Sequence, residues 1–214
     1  MNPLAFYGRI ARMLAKPPRR RYPALDRLSR TILDDYVAAL RSITPERASE
    51  GVEDGRTIIQ LVGHIVEWDR WTILAAGEIA AGVRAPHIMS LQGYFETNGT
   101  ALEFSDLEDF NNYQAAKYST RPWPRVLKLA VHTSTAVHAL FGNAHLIAPE
   151  ILEQTEPYDW AMPSGERITL PCGWYLWIAA LEHKAVEHRK DLVPAISRSH
   201  AGSQGKRKNR RGKG

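Results

Sequence analysis

His64 and His188 are the residues of this chain whose types and surroundings best suit chemistry. His64 lies in LVGHIVEWDRW (61–71) and His188 in WYLWIAALEHKAVEHRKDL (174–192). Both segments have a helical pattern, and each sets its histidine among tryptophans and aliphatic residues. On the last segment Trp174, Ile178, Leu181, Ala185, His188 and Leu192 recur at spacings of four and three, so His188 shares the inward face. Leu61, His64, Trp68 and Trp71 form a matching stripe. If these helices pack together, two imidazoles far apart in the chain meet in one cavity, where they can hold a divalent metal or carry protons. The other reading of each is a core histidine with a hydrogen-bond partner.

A third ligand is harder to find. His183 is five residues before His188, which on an α-helix places it about 140° away. An i,i+4 pair, as in HExxH, needs a ligand at position 184, and that residue is Lys184, whose ammonium is no ligand at neutral pH. Glu187 is one turn beyond His183, and Asp191 is one turn beyond Glu187 and three residues from His188. A site built on His64 and His188 can therefore recruit Asp191, Glu187 or, with distortion of the helix, His183. The ExxH pair of di-iron bundles is absent from both segments. Trp68, Trp71, Trp174 and Trp177 are expected to give such a site an apolar wall for a substrate.

The remaining histidines and the single cysteine have weaker claims. His132 and His138 are six apart, which separates them on a helix, and His87, His145 and His200 fall in expected loops or tail. Cys172 is the only cysteine, which rules out an internal disulfide and CxxC zinc sites and fits a reducing cytosol. A lone cysteine at a helix start is more often inert than reactive. No GxSxG, P-loop or GxGxxG motif occurs.

The elements that must position these residues are helices. FYGRIARMLA (6–15) reads as a short basic amphipathic helix, a surface appendage stopped by Pro17 and Pro18. Leu25, Leu28, Ile32, Tyr36 and Leu40 mark a helix from Ala24 to about Ser42. A second spans roughly 56–81, ended by Gly82 and Pro86. Ser105, with Glu108 at the capping-box position, starts a third that stops before Pro122. Pro124 opens a fourth that runs to about Ala144. Residues 149–155 add a turn or two, a short hairpin is expected around Ser164 and Gly165, and the last helix runs from Pro171 to about Asp191. Residues 87–104 fit no clear pattern, and no strand pattern supports a sheet. The expected fold is all-α: an antiparallel four-helix bundle with long connections and an extra N-terminal helix.

Charge divides the 214 residues into three parts. Of 28 basic residues, six fall in 1–22 and seven in 198–214, and neither segment has an acid. The body, 23–197, keeps 15 basic against 23 acidic residues, net −8. The tail of Gly, Ser, Lys and Arg is expected to be disordered, with contact to nucleic acid through its charge as one reading. No apolar run is long enough for a membrane span, and the N-terminus lacks the apolar stretch of a secretory signal, so a cytoplasmic protein is expected.

The string GRTIIQLVGHIVEWDRW resembles the second-helix signature of the DinB-like superfamily, and ALEHKAVEHRKDL is similar to its last-helix histidine motif. The resemblance covers roughly 24–193 and implies a four-helix bundle. It also implies a divalent metal (Zn, Ni or Mn) held by one histidine on the second helix and an HxxxH pair on the last. His64 matches the first ligand and His188 the final one. The middle ligand falls on Lys184, so either His183 takes its place through a local helix irregularity or the site holds metal weakly or not at all. Branches of the superfamily include thiol-dependent transferases, maleylpyruvate isomerase and a toxin self-resistance hydrolase. The resemblance therefore implies an enzyme acting on a small electrophile by thiol transfer or hydrolysis, with a low-molecular-weight thiol as a cofactor of the transferase kind. Two other readings stand beside it: a non-catalytic bundle that sequesters a small molecule, and a nucleic-acid-associated protein working through its basic ends.

Overall fold

The computed structural model describes residues 2–52, 55–162 and 165–193. The elements run α1 (Pro3–Leu14), α2 (Pro18–Arg41), α3 (Pro45–Ala48), α4 (Ile58–Ala80), β1 (Tyr94–Phe95), β2 (Ala101–Leu102), α5 (Leu107–Tyr118), α6 (Trp123–Phe141), α7 (Pro149–Glu153), β3 (Pro157–Ala161), β4 (Arg167–Pro171) and α8 (Cys172–Glu182). The last helix then passes through a π-helical turn, His183–Glu187, into α9 (Arg189–Leu192). The expected bundle is the architecture observed: α2, α4, α6 and the α8–α9 rod pack together, α4 lying against α5, α6 and α8. Among the described residues no helix is long and apolar enough to cross a membrane. The basic tail, 198–214, lies outside the described residues.

Local chemistry sets the helix ends. Thr57 and Gln60 close a capping box at the start of α4, Thr57 Oγ1 accepting from Gln60 N at 3.3 Å and Gln60 Oε1 from Thr57 N at 2.9 Å. Past Ala80 the chain leaves the helix through Gly82 at φ +88°, a left-handed position that suits glycine. The cap of α5 is one residue later than Ser105. Asp106 Oδ1 accepts from Asp109 N at 2.9 Å, and Asp109 reaches back to Ser105 N at 3.1 Å.

Two expectations change at the N-terminus. The first long helix begins at Pro18, six residues before Ala24, and carries Pro23 inside it. Arg21 anchors this start: its guanidinium donates to Leu14 O, Lys16 O and Glu153 Oε2. The preceding helix is no mere appendage. Phe6 and Ile10 of α1 are fully buried in the main apolar cluster, and the Tyr7 hydroxyl donates to Glu182 beside the π-turn.

The connections hold two small antiparallel ribbons. One pairs β1 with β2 inside the stretch 87–104, after a 3₁₀ turn at His87–Ser90. The other pairs β3 with β4 over Pro157–Ala161 and Arg167–Pro171. This is the hairpin expected around Ser164 and Gly165; Gly165 has φ +84°, and Ser164 lies outside the described residues.

The apolar core forms two clusters. One is built around α1, the start of α2 and α8; the other around the C-terminal half of α2, the start of α4 and α6. Gly63 permits the contact between α4 and α5, because a Cβ there would sit 2.2 Å from the Tyr118 ring. Gly63→Ala must therefore push Tyr118 and α5 away, and is expected to cost roughly 1–3 kcal/mol, read as a lower urea midpoint at unchanged m-value.

Candidate metal centre

His64 is buried on α4, one turn past the capping box. Its Nδ1 lies 2.6 Å from Gln114 Oε1, and Gln114 is fully buried on α5. An amide oxygen only accepts, so the imidazole proton sits on Nδ1 and the lone pair on Nε2. Two other rings meet this one. The His64 and His183 centroids are 5.5 Å apart at 85°, and those of His64 and His188 are 5.2 Å apart at 88°. His183 and His188 lie parallel, 5.7 Å apart at 9°. One ligand atom from each of the three lies within 4.8 Å of the others.

The π-turn explains how residues five apart face the same way. Its closing hydrogen bond runs from His188 N to His183 O at 3.3 Å, an i→i+5 bond in place of the α-helical i→i+4. The wider turn absorbs one extra residue, so the ~140° separation of a regular helix disappears.

Lys184, at the position the resemblance gave to a ligand, points elsewhere. Its Nζ lies 2.5 Å from Asp69 Oδ1 and 2.9 Å from Ala180 O, with both side chains almost wholly buried. Asp69 also accepts from Ser134 Oγ at 2.6 Å, and Lys184 Nζ is 5.9 Å from the centre of the Tyr36 ring. Residues of α2, α4 and α6 thus converge on the π-turn.

Glu187 completes the neighbourhood. Its Oε2 is 3.1 Å from His183 Nε2 and 4.0 Å from His188 Nε2. Burial, and then the nearby Glu182, push its carboxyl up to about 7. Burial and the two neighbouring imidazoles hold His183 well below the usual histidine range, which keeps it a neutral donor. Asp191 is on α9, outside the donor set found among the described residues; its carbonyl accepts from Arg47 at 3.5 Å.

A cavity of about 440 Å³ opens beside this cluster. His183 and Glu187, with Asp69 and Thr72, supply its polar lining, and Trp68, Met89, Tyr175 and Leu176 belong to its apolar wall. Of the four tryptophans expected there, Trp68 lines the cavity and stacks on His183 at 5.8 Å. Trp71 is buried with Phe110 and Tyr94, its Nε1 donating to Gln92 O. Trp174 and Trp177 are fully buried against Tyr22, and Phe141 stacks on Trp177. Tyr158 and Tyr175, their rings 4.1 Å apart, supply aromatic wall that the sequence reading missed. Gln114 and Asp69 were missed as well. Neither carries a local signal, since each acts through a partner on another helix. Cys172 is buried, and burial raises its thiol above the ordinary range.

No family model matches the chain, and no curated protein matches it. Among solved structures it is similar to the crystal structure of the mycothiol-dependent maleylpyruvate isomerase, with TM-score 0.51 and 14% identity. The match covers 80% of this chain and 59% of that one. A histidine-to-alanine mutant of that enzyme gives TM-score 0.48 at the same identity and coverage. The chain thus spans less than two thirds of these relatives' length. At the level of the fold, the likeness agrees with the DinB-like resemblance of the two histidine helices.

The ion pair generates a stability test. Lys184→Met leaves the buried Asp69 carboxylate without its cation and is expected to cost about 3–5 kcal/mol. Asp69→Leu combined with Lys184→Met should cost less than the two single changes added together, by more than about 1 kcal/mol in a denaturation cycle. Additive losses would mean that the pair does not hold the turn.

Proposed function

We propose that the protein is a DinB-like enzyme whose His64, His183 and His188 hold a divalent metal at the polar end of an apolar cavity. There it would act on a small electrophile by thiol transfer or hydrolysis. The observation that supports this reading is that one ligand atom from each of three imidazoles, on two helices, lies within 4.8 Å of the others beside a cavity of ligand size.

The donor set fits a borderline metal such as Zn, Ni or Mn. It is all nitrogen, His183 is kept neutral, and His64 is oriented by a buried amide as metal-ligating histidines commonly are. Two nitrogens on one ion at ~2.1 Å can be no more than ~4.2 Å apart. A pair at the 4.8 Å bound must therefore close by roughly 0.6 Å, within reach of small side-chain rotations. When bound, the ion would lower the pKa of a coordinated thiol or water.

The protein's own groups do the rest. Trp68 and Tyr175 would keep water from the apolar end, and Glu187 lines the cavity beside His183, where it can pass a proton to or from a substrate. The structural neighbour is mycothiol-dependent by name, which favours a low-molecular-weight thiol as the nucleophile. That thiol must come from outside, because Cys172 is buried, protonated and absent from the cavity lining. A non-catalytic bundle that sequesters a ligand would have the same cavity without the ion.

Elemental analysis of untagged protein separates the two, with about one equivalent of Zn, Ni or Mn expected. Less than about a tenth of an equivalent, with no uptake on titration, would sink the metal reading. His64→Ala, His183→Ala and His188→Ala should each lose the ion while keeping the helical circular dichroism. Gln114→Ala should weaken binding by about 10–100-fold.

The π-turn allows a sharper test. Deleting Val186 removes the extra residue and turns His183 and His188 into an i,i+4 pair on a regular helix. Metal uptake should then survive, although a residue inside the site has been removed.

A further inference from the structure

Residues 110–149 contain no aspartate or glutamate, yet they carry Lys117, Arg121, Arg125 and Lys128. Forty residues without an acid stand out in a body whose net charge is −8. The structure brings three of these cations together. A recess of about 310 Å³, on a different face of α4 from the histidine cavity, is lined by Arg70, Lys117, Arg121, Arg125 and His132, with Ile73 and Leu129 among its apolar residues.

The acids nearby are already engaged. Glu67 is fully buried under the recess and accepts from Tyr94 Oη, Tyr118 Oη at 2.5 Å and Arg70 Nη1 at 2.7 Å, with Lys117 Nζ 3.0 Å away. Glu96 takes Lys117 at 2.9 Å and lies 3.7 Å from Arg70. Two carboxylates thus offset two cations. Arg121 and Arg125 have no carboxylate partner among the described residues. Arg121 is nevertheless held in place, its Nε donating to Lys117 O at 3.3 Å and its guanidinium lying 5.3 Å from the centre of the Tyr118 ring. Arg125 sits in the first turn of α6, which has no acid, and there a cation opposes the helix dipole. Arg125 is exposed there, and an anion beside it would offset that opposition.

We propose that this recess binds an oxyanion, the phosphate or carboxylate group of a small ligand. Arg121 and Arg125 are its principal contacts, and Ile73 and Leu129 pack against the ligand's short apolar part. Planar guanidinium forks match both groups, and the volume suits a small ester or acid rather than a polymer. The site is independent of the proposed metal.

The test is an NMR titration of the full chain with inorganic phosphate and with acetate, at constant ionic strength, following arginine Nε–H signals. One saturable site is expected for at least one of the two, and the tighter anion names the group. Arg121→Gln and Arg125→Gln should each weaken it roughly tenfold. Lys128→Gln removes the same charge from the same helix outside the recess and should change it by less than about twofold. His64→Ala should leave it intact. Linear shifts without saturation, equal weakening by Lys128→Gln and Arg125→Gln, or loss of binding in His64→Ala would each overturn the proposal.

Discussion

On a regular α-helix, two side chains five residues apart cannot reach the same point. Everything distinctive about the histidine cluster follows from the way this chain escapes that constraint. One extra residue is taken up between His183 and His188, and the helix widens to hold it. A widened turn is poorer in hydrogen-bond geometry than the helix it interrupts, so something outside the helix must favour it. The Lys184–Asp69 pair has the right place and strength: it begins inside the turn, reaches α4, and is dry at both ends. Such a pair contributes little net stability compared with an apolar replacement, but losing one partner is costly. The pair ties Lys184 of the turn to α4.

The same logic spreads along α4. His64, Glu67 and Asp69 are buried within six residues of one another, and each finds partners outside α4: Gln114 on α5, Tyr94 and Tyr118 on β1 and α5, Lys184 and Ser134 on the last helix and α6. A polar stretch of this kind destabilises a bundle unless every member is paired. The long connections that a minimal bundle would not need exist partly to bring those partners in. α5, which Gly63 allows to lie close against α4, brings both Gln114 and Tyr118.

This division also explains what could be read in the sequence. Periodicity revealed the four long helices, and the inward faces of His64 and His188 followed from it. Periodicity assumes that the helix stays regular, so it placed His183 on the wrong side. The residue that overrules it, Asp69, is more than a hundred positions away and looks like an ordinary surface acid in EWDRW. The tryptophans show a second limit. A stripe reveals that Trp174 and Trp177 face inward, not what they meet. They pack against Tyr22, which α2 carries because it starts before Ala24, and Trp177 stacks on Phe141 of α6.

The recess and the histidine cluster share α4, which raises the question of whether they are coupled. One chain of polar contacts between them runs from Thr133, at the recess, through Asp69 to Lys184 in the π-turn. Its first link, Thr133 Oγ1 to Asp69 Oδ2, is 3.5 Å, at the edge of what counts as a hydrogen bond. The same oxygen accepts from Ser134 at 2.6 Å, and Thr133 Oγ1 has a second acceptor in Ala130 O at 3.4 Å. Shifting Thr133 would therefore change little that Asp69 feels, because Lys184 and Ser134 hold its two oxygens at 2.5 and 2.6 Å. Coupling needs an element with two arrangements that both sites bias, and a 3.5 Å contact beside two short bonds to Asp69 gives Thr133 little purchase on it. The proposed metal site and the proposed anion recess thus share α4 with only this weak first link joining them along that route.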